Sequence, residues 1–174
     1  MNLPNKLTVL RIIAVPFFIA AYMMQWYLVA FILFILASLT DMLDGKIARA
    51  RNLITNFGKI MDPLADKILV YSALCLFVEN GTIPGWSLII ILAREFVVAG
   101  MRTVAASEGI VIAAGMSGKI KTVLQMIAVI ILIIAAGPLP QLFQIGMIIF
   151  WASLIMTVYS GVEYVSKNKN VFSM

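Results

Sequence analysis

The chain has no histidine, a single cysteine, and few charges: 12% of its 174 residues are charged, against 63% that are hydrophobic. Each scarcity excludes something. Without histidine, base chemistry falls to a carboxylate, lysine, tyrosine or water. Any metal site must be oxygen-ligated, which suits Mg²⁺, Mn²⁺ or Ca²⁺ rather than zinc or copper. The lone Cys75 lies in an apolar run. It cannot form an intrachain disulfide and reads as a small packing residue. So little polar surface excludes a soluble fold of this size.

What is present is a series of apolar runs of about 20 residues, long enough to cross a bilayer core. They extend to about Met24, from Trp26 to Asp44, from Pro63 to Val78, from Trp86 to Ala106, from Ile120 to Ala136, and from Leu142 to Tyr164. Turn-forming segments separate them, among them Asn80-Gly81 and Pro84-Gly85. The opening stretch has no small-residue cleavage pattern after its apolar part, so it is expected to remain as the first span. The thirteen basic residues fall in the N-terminus, the 46–59 loop, the region from 94 to 121 and the tail, with Lys67 beside the loop. The alternate connections at Gln25, 79–85 and 137–141 carry none. By the positive-inside rule this predicts an all-α, polytopic membrane protein, one domain over residues 1–174. It has six transmembrane helices, and both termini are cytoplasmic. Trp26, Tyr27 and Trp86 then stand at the outer interface. Gly100, Gly115, Gly118, Gly146 and Gly161 are candidates for close helix contact.

Four of the eight acidic residues lie in one stretch, Asp41 and Asp44 at its start and Asp62 and Asp66 at its end. Charges at the edge of a span are costly and mark function. Asp41 and Asp44 are three apart and share a helix face. Asp62 and Asp66 share one if the third helix already includes residue 62. Alternatively, Asp62 caps that helix with Pro63 at its first position. Four converging carboxylates repel unless cations neutralise them, and a pair of bridging divalent ions, Mg²⁺ or Mn²⁺, would also grip a pyrophosphate. Gly45 and Gly58 would let a ligand approach the backbone, and Arg49 could hold phosphate through two parallel bonds.

Asp41-x-x-Asp44-Gly45-x-x-Ala48-Arg49, eight further residues, then Gly58-x-x-x-Asp62-x-x-x-Asp66 resembles the signature of the CDP-alcohol phosphotransferases. That resemblance implies transfer of a phosphatidyl or related group from a CDP-linked donor to an alcohol, with release of CMP. It implies that Asp41, Asp44, Asp62 and Asp66 bind two divalent ions and that Asp66 is also the catalytic base. Gly45, Ala48, Arg49 and Gly58 would line the CDP site, and the enzyme would be a homodimer.

Two further stretches bear on the acceptor. The opening NLPNKLTVLRIIAVP is similar to the N-termini of phosphatidylglycerophosphate synthases, which implies that Asn5 and Thr8 help bind the CDP donor. REFVVAGMR and GKIKT are similar to stretches of the same enzymes. Arg94, Val98 and Arg102 form one helical stripe, and Gly118, Lys121, Thr122 and Gln125 form another face. Basic groups there suit a phosphorylated acceptor such as glycerol 3-phosphate, giving Arg94, Arg102, Lys119 and Lys121 as candidate phosphate-binding residues. Lys119 and Lys121 are about 200° apart on an ideal helix, so both face one pocket only if the helix begins between them. Glu95 is expected to pair with a basic residue of another span. The expected substrates are therefore CDP-diacylglycerol and glycerol 3-phosphate in a cytoplasmic membrane. The competing acceptors are inositol phosphate, serine and phosphatidylglycerol. A divalent-cation transporter is the competing class, disfavoured because the acids cluster at one face beside arginines.

Overall fold

The computed structural model describes residues 3–50, 56–110, 112–113 and 115–169; within the helices, the side chains at 3–6, 41–50, 56–60, 62, 63 and 66 are left undescribed. Among these residues the fold is all helical. The helices are α1 (Leu3–Met23), α2 (Tyr27–Ala50), α3 (Asn56–Glu79), α4 (Gly85–Ser107), α5 (Met116–Ala135) and α6 (Phe143–Lys167), with a 3-10 turn at Pro140–Leu142 before α6. Each helix contains one of the apolar runs. Pro4 stands in the first turn of α1, where a missing N–H leaves nothing unpaired. Gln25, at φ 61°, reverses the chain between α1 and α2, and the Trp26 N–H donates to the Ala21 carbonyl at 2.9 Å. At the α3–α4 turn, Asn80 donates to the Tyr22 hydroxyl at 2.8 Å and accepts from the Thr82 N–H at 3.0 Å.

The helices outrun the apolar runs that announced them. α2 continues past Asp44 to Ala50, α3 begins seven residues before Pro63, and α5 begins at Met116 rather than near Ile120. The alternatives for Asp62 are thereby resolved: it is inside α3, and so is Pro63. Hydropathy marks the width of an apolar layer, whereas a helix continues as long as its backbone bonds close. α2, with 24 residues, is about 36 Å long by the 1.5 Å rise per residue, more than a hydrocarbon core needs.

The outside of the bundle is apolar and part of the inside is polar. Phe96 and Ile155 are 71% and 69% exposed, while Arg11 and Lys121 are 2% and 3% exposed. Such an inversion is what a lipid solvent selects. Among the described residues, Met116–Ala135 and Pro140–Lys167 are long and apolar enough to cross a membrane; Leu7–Met23 and Tyr27–Thr40 are shorter apolar stretches.

Along its length the bundle has two tiers. One is a close-packed apolar core through which Phe18, Phe34, Phe77 and Phe150 run fully buried. Phe18 and Phe34 lie 5.7 Å apart between ring centres, and Tyr22 and Phe77 6.0 Å. The core residues come from the later halves of α1, α3 and α5 and the earlier halves of α2, α4 and α6, so this tier is the end that carries the turns without basic residues. α5 and α6 pack most extensively, α1 packs on α2 and α3, and α4 packs on α6. Gly146 makes the α5–α6 contact possible, since a Cβ there would fall 2.8 Å from Leu132 Cδ2. Gly100 serves no such contact, because a Cβ there would meet nothing within 4 Å.

Candidate active site

The second tier is hollow. A cavity of about 1080 Å³ opens between α3, α4, α5 and α6, lined by six basic side chains, Lys67, Arg94, Arg102, Lys119, Lys121 and Lys167, against two acidic ones, Glu95 and Glu163. The Arg94–Val98–Arg102 stripe of α4 and the Gly118, Lys121, Thr122 and Gln125 face of α5 both line it. The helical spacing therefore brings the two expected faces together across one space.

Its electrostatics centre on Glu95. One carboxylate oxygen, Oε1, accepts from Arg94 Nη1 at 2.7 Å and from Lys121 Nζ at 2.8 Å, and Oε2 lies 3.2 Å from Lys67 Nζ. The expected pairing across spans is thus a cluster in which one anion joins cations from α3, α4 and α5. The Glu95 and Arg94 side chains are each only 12% exposed and that of Lys121 is 4% exposed, so these charges meet with little water to screen them. At the other wall, Arg102 Nε donates to the Tyr164 hydroxyl at 3.2 Å and its guanidinium carbon lies 5.5 Å from that ring's centre. Glu163 accepts from Ser117 and, at 2.6 Å, from Lys167.

Two donors in this wall are unused. Arg94 Nε and Gln125 Nε2 are buried without a hydrogen-bond partner among the described residues. Buried donors left unpaired are costly, so a site that holds two of them, amid excess positive charge, is made for a ligand rich in acceptor oxygens and negative charge. Lys119 and Lys121 both line the cavity, but differ in burial. The helix begins before both lysines, so Lys121 is buried in the cluster while Lys119 is exposed at the cavity rim.

The aspartates lie on the helices that adjoin this tier. Ala30, Phe34 and Ala37 form a buried stripe along α2, and positions 41, 44 and 48 continue its spacing. On α3, positions 62 and 66 precede buried Leu69 and Ala73 in the same way. α2 and α3 pack together. Positions 41 and 44 and positions 62 and 66 thus continue the spacing of buried stripes on neighbouring helices, and carboxylates are the residue type that could hold a hard divalent cation. The side chains of Asp41, Asp44, Gly45, Ala48, Arg49, Gly58, Asp62, Asp66 and Asn5 lie outside the described residues. No metal-ligating cluster occurs among the described ones. Thr8 is fully buried on α1. One helical turn along, Arg11 Nε donates to the Ala37 carbonyl at 3.2 Å, fastening α1 to α2 one turn before Asp41.

The sequence reading missed Arg11, Lys67, Tyr164 and Glu163. Arg11 lay three residues from Thr8, on its face, and could have been found by that spacing. Tyr164 and Glu163 carried no signal, since only the fold brings the end of α6 to α4 and α5.

Comparison with known proteins agrees with this chemistry. Residues 1–159 match the CDP-alcohol phosphatidyltransferase family. A Bacillus subtilis (strain 168) protein named CDP-diacylglycerol–glycerol-3-phosphate 3-phosphatidyltransferase is 44% identical, covering 96% of this chain and 95% of its own. A Rickettsia felis protein of the same name is 38% identical over 98% of this chain and 97% of its own. A Mycobacterium tuberculosis protein named probable phosphatidylglycerophosphate synthase is 36% identical over 95% of this chain and 81% of its own. With oxygen-rich helix ends beside a basic cavity in an apolar bundle, and with this similarity along nearly its whole length, the chain belongs to the CDP-alcohol phosphatidyltransferase family, whose members generally use a divalent metal.

Proposed function

We propose that this chain transfers the phosphatidyl group of CDP-diacylglycerol to glycerol 3-phosphate, giving phosphatidylglycerol phosphate and CMP. It does so as a single-domain, six-span enzyme of the cytoplasmic membrane, with both termini and the active site on the cytoplasmic side. The observation that carries the choice of acceptor is the cavity with six basic and two acidic side chains. Serine and phosphatidylglycerol do not call for such an excess at the acceptor side, whereas a phosphomonoester does. The relatives' names point to the same acceptor.

In this reading Asp41, Asp44, Asp62 and Asp66 hold two divalent cations, Mg²⁺ or Mn²⁺. Bound there, the cations would neutralise the donor pyrophosphate and the charge on departing CMP. Asn5, Thr8, Gly45, Ala48, Arg49 and Gly58 line the CDP site. Arg94, Arg102, Lys119 and Lys121 bind the acceptor phosphate, and the burial of Arg94 and Lys121 strengthens that grip. The alcohol oxygen attacks the phosphorus that carries diacylglycerol. As the new P–O bond forms, the bond to CMP breaks, CMP leaves with the electron pair, and Asp66 takes the alcohol proton. The enzyme acts as a homodimer.

The test is CMP release from CDP-diacylglycerol in mixed micelles, with glycerol 3-phosphate, inositol phosphate, serine and phosphatidylglycerol supplied one at a time. Release is expected with glycerol 3-phosphate, lost in EDTA and restored by Mg²⁺ or Mn²⁺. Release with inositol phosphate or serine alone refutes the acceptor, and release with none refutes the enzyme.

A further inference from the structure

Arg94 reaches the cavity through a gap that two glycines leave. A Cβ at Gly161 of α6 would fall 3.0 Å from Arg94 Cγ and 3.8 Å from its Cβ. A Cβ at Gly118 of α5 would fall 3.2 Å from Arg94 Nη2. The side chain therefore leaves α4, crosses α6 at its stem, and brings its guanidinium against α5. On the remaining edge Nη1 is bound to Glu95 at 2.7 Å, while Nε is buried with no partner among the described residues. Stem, fork and one nitrogen are each set against a different element, and the Arg94 side chain lines the cavity.

We propose that Gly118 and Gly161 are positioning residues of the reaction, which hold the Arg94 guanidinium where it binds the acceptor phosphate. The proposal rests on the reading of the chain as a glycerol 3-phosphate phosphatidyltransferase. The two glycines differ in how they act. A methyl at residue 161 meets Cγ, near the root of the side chain, where the stem has no freedom to swing away. A displacement there of a few tenths of an ångström is carried along the stem to the fork. A methyl at residue 118 meets only Nη2, and the fork, tethered through Nη1 to Glu95, turns about that tether. In both cases the guanidinium is re-aimed while the helices stay in place. Alanine is also a better helix former than glycine, so neither substitution weakens its helix.

The experiment uses the full chain in detergent, with CDP-diacylglycerol in mixed micelles and glycerol 3-phosphate varied. Gly161→Ala and Gly118→Ala are each expected to raise the KM for glycerol 3-phosphate about tenfold, the size of loss that follows a small misplacement of a binding group. The KM for CDP-diacylglycerol and the melting temperature stay at wild-type values. A double-mutant cycle separates the two glycines. Lysine at position 94 keeps Cγ but has no Nη2. In Arg94→Lys, Gly118→Ala therefore adds no further rise, whereas Gly161→Ala still does. Unchanged KM for glycerol 3-phosphate in both alanine variants overturns the inference. So does a rise for both substrates together with a lower melting temperature, which is general packing damage, and so does a Gly118→Ala effect that persists in full in Arg94→Lys. A wild-type chain that does not use glycerol 3-phosphate overturns the functional reading, and this inference with it. Wild-type activity with unaffected variants overturns the inference alone.

Discussion

Asp66 and Asp41 carry the same functional group on neighbouring helices, and their assigned work differs. If Asp66 takes the proton as well as binding a cation, Asp66→Asn retains binding of CDP-diacylglycerol better than Asp41→Asn and lowers turnover by about 10²–10⁴-fold, the usual worth of a positioned base. Donor binding measured beside single-turnover CMP release checks this; equal loss of binding in the two variants would remove the special role of Asp66. Glu95 offers a second test at this scale. Its carboxylate meets Lys67, Arg94 and Lys121, so Glu95→Gln leaves three cations facing one another in a poorly hydrated site. The loss is expected to be about 3 kcal/mol, at the lower end for a broken buried ion pair because the group keeps some contact with water. It reads out as a lower melting temperature in detergent. Adding Lys121→Met to Glu95→Gln recovers part of the loss, since it removes one of the stranded charges. The candidate residues themselves were legible as types at spacings: carboxylates three and four apart, arginines eight apart. The cluster that Glu95 forms was legible only as a need for some partner, because Lys67 and Lys121 lie 28 and 26 positions away along the chain.

The helices were legible as apolar runs, yet their ends were not. α2 and α3 carry the aspartates at or just beyond the ends of the apolar runs, and both helices continue past them. Pro63 made an N-terminus look natural at a place that is helix interior, since the cost of its missing N–H is met by context that local pattern does not contain. The start of α5 decided the lysines in the same manner: with the helix already running at Met116, burial falls to Lys121 and exposure to Lys119. The α5–α6 pair gives the prediction at this scale. A methyl at residue 146 would also fall 3.0 Å from Leu132 Cγ and 3.1 Å from Ile131 Cγ2, side chains held in a close-packed contact. Gly146→Ala is therefore expected to destabilise the bundle by about 1–3 kcal/mol, as overpacking does, without altering either substrate's KM. Leu132→Val in the same chain makes room for the methyl and recovers part of the melting temperature. A melting temperature unchanged by Gly146→Ala would show that the helices separate at little cost.

At the scale of the whole molecule, the proposed orientation rests on the distribution of basic residues. Six basic side chains line the hollow tier, and the turns at the packed end carry no Lys or Arg, so the proposed orientation turns the hollow tier toward the cytoplasm. With Cys75→Ala as background, Gln141→Cys in the exposed turn before α6 is expected to react with a membrane-impermeant maleimide added to intact cells. Lys169→Cys, beyond the end of α6, reacts only after the membrane is opened. The reverse pattern overturns the orientation, and labelling of both from outside overturns the even number of crossings. The packed tier has a consequence for the cell as well. Phe18, Phe34, Phe77 and Phe150 are fully buried in the close-packed cluster, so the hollow tier backs onto apolar packing. Water and cations that enter it are expected to leave by the same mouth, because the close-packed tier beyond is built chiefly of apolar side chains that cannot replace an ion's hydration shell. Such an enzyme can be abundant in a membrane that stores a voltage and a proton gradient, and it can work at high flux on a metal-bound, charged reaction without discharging either.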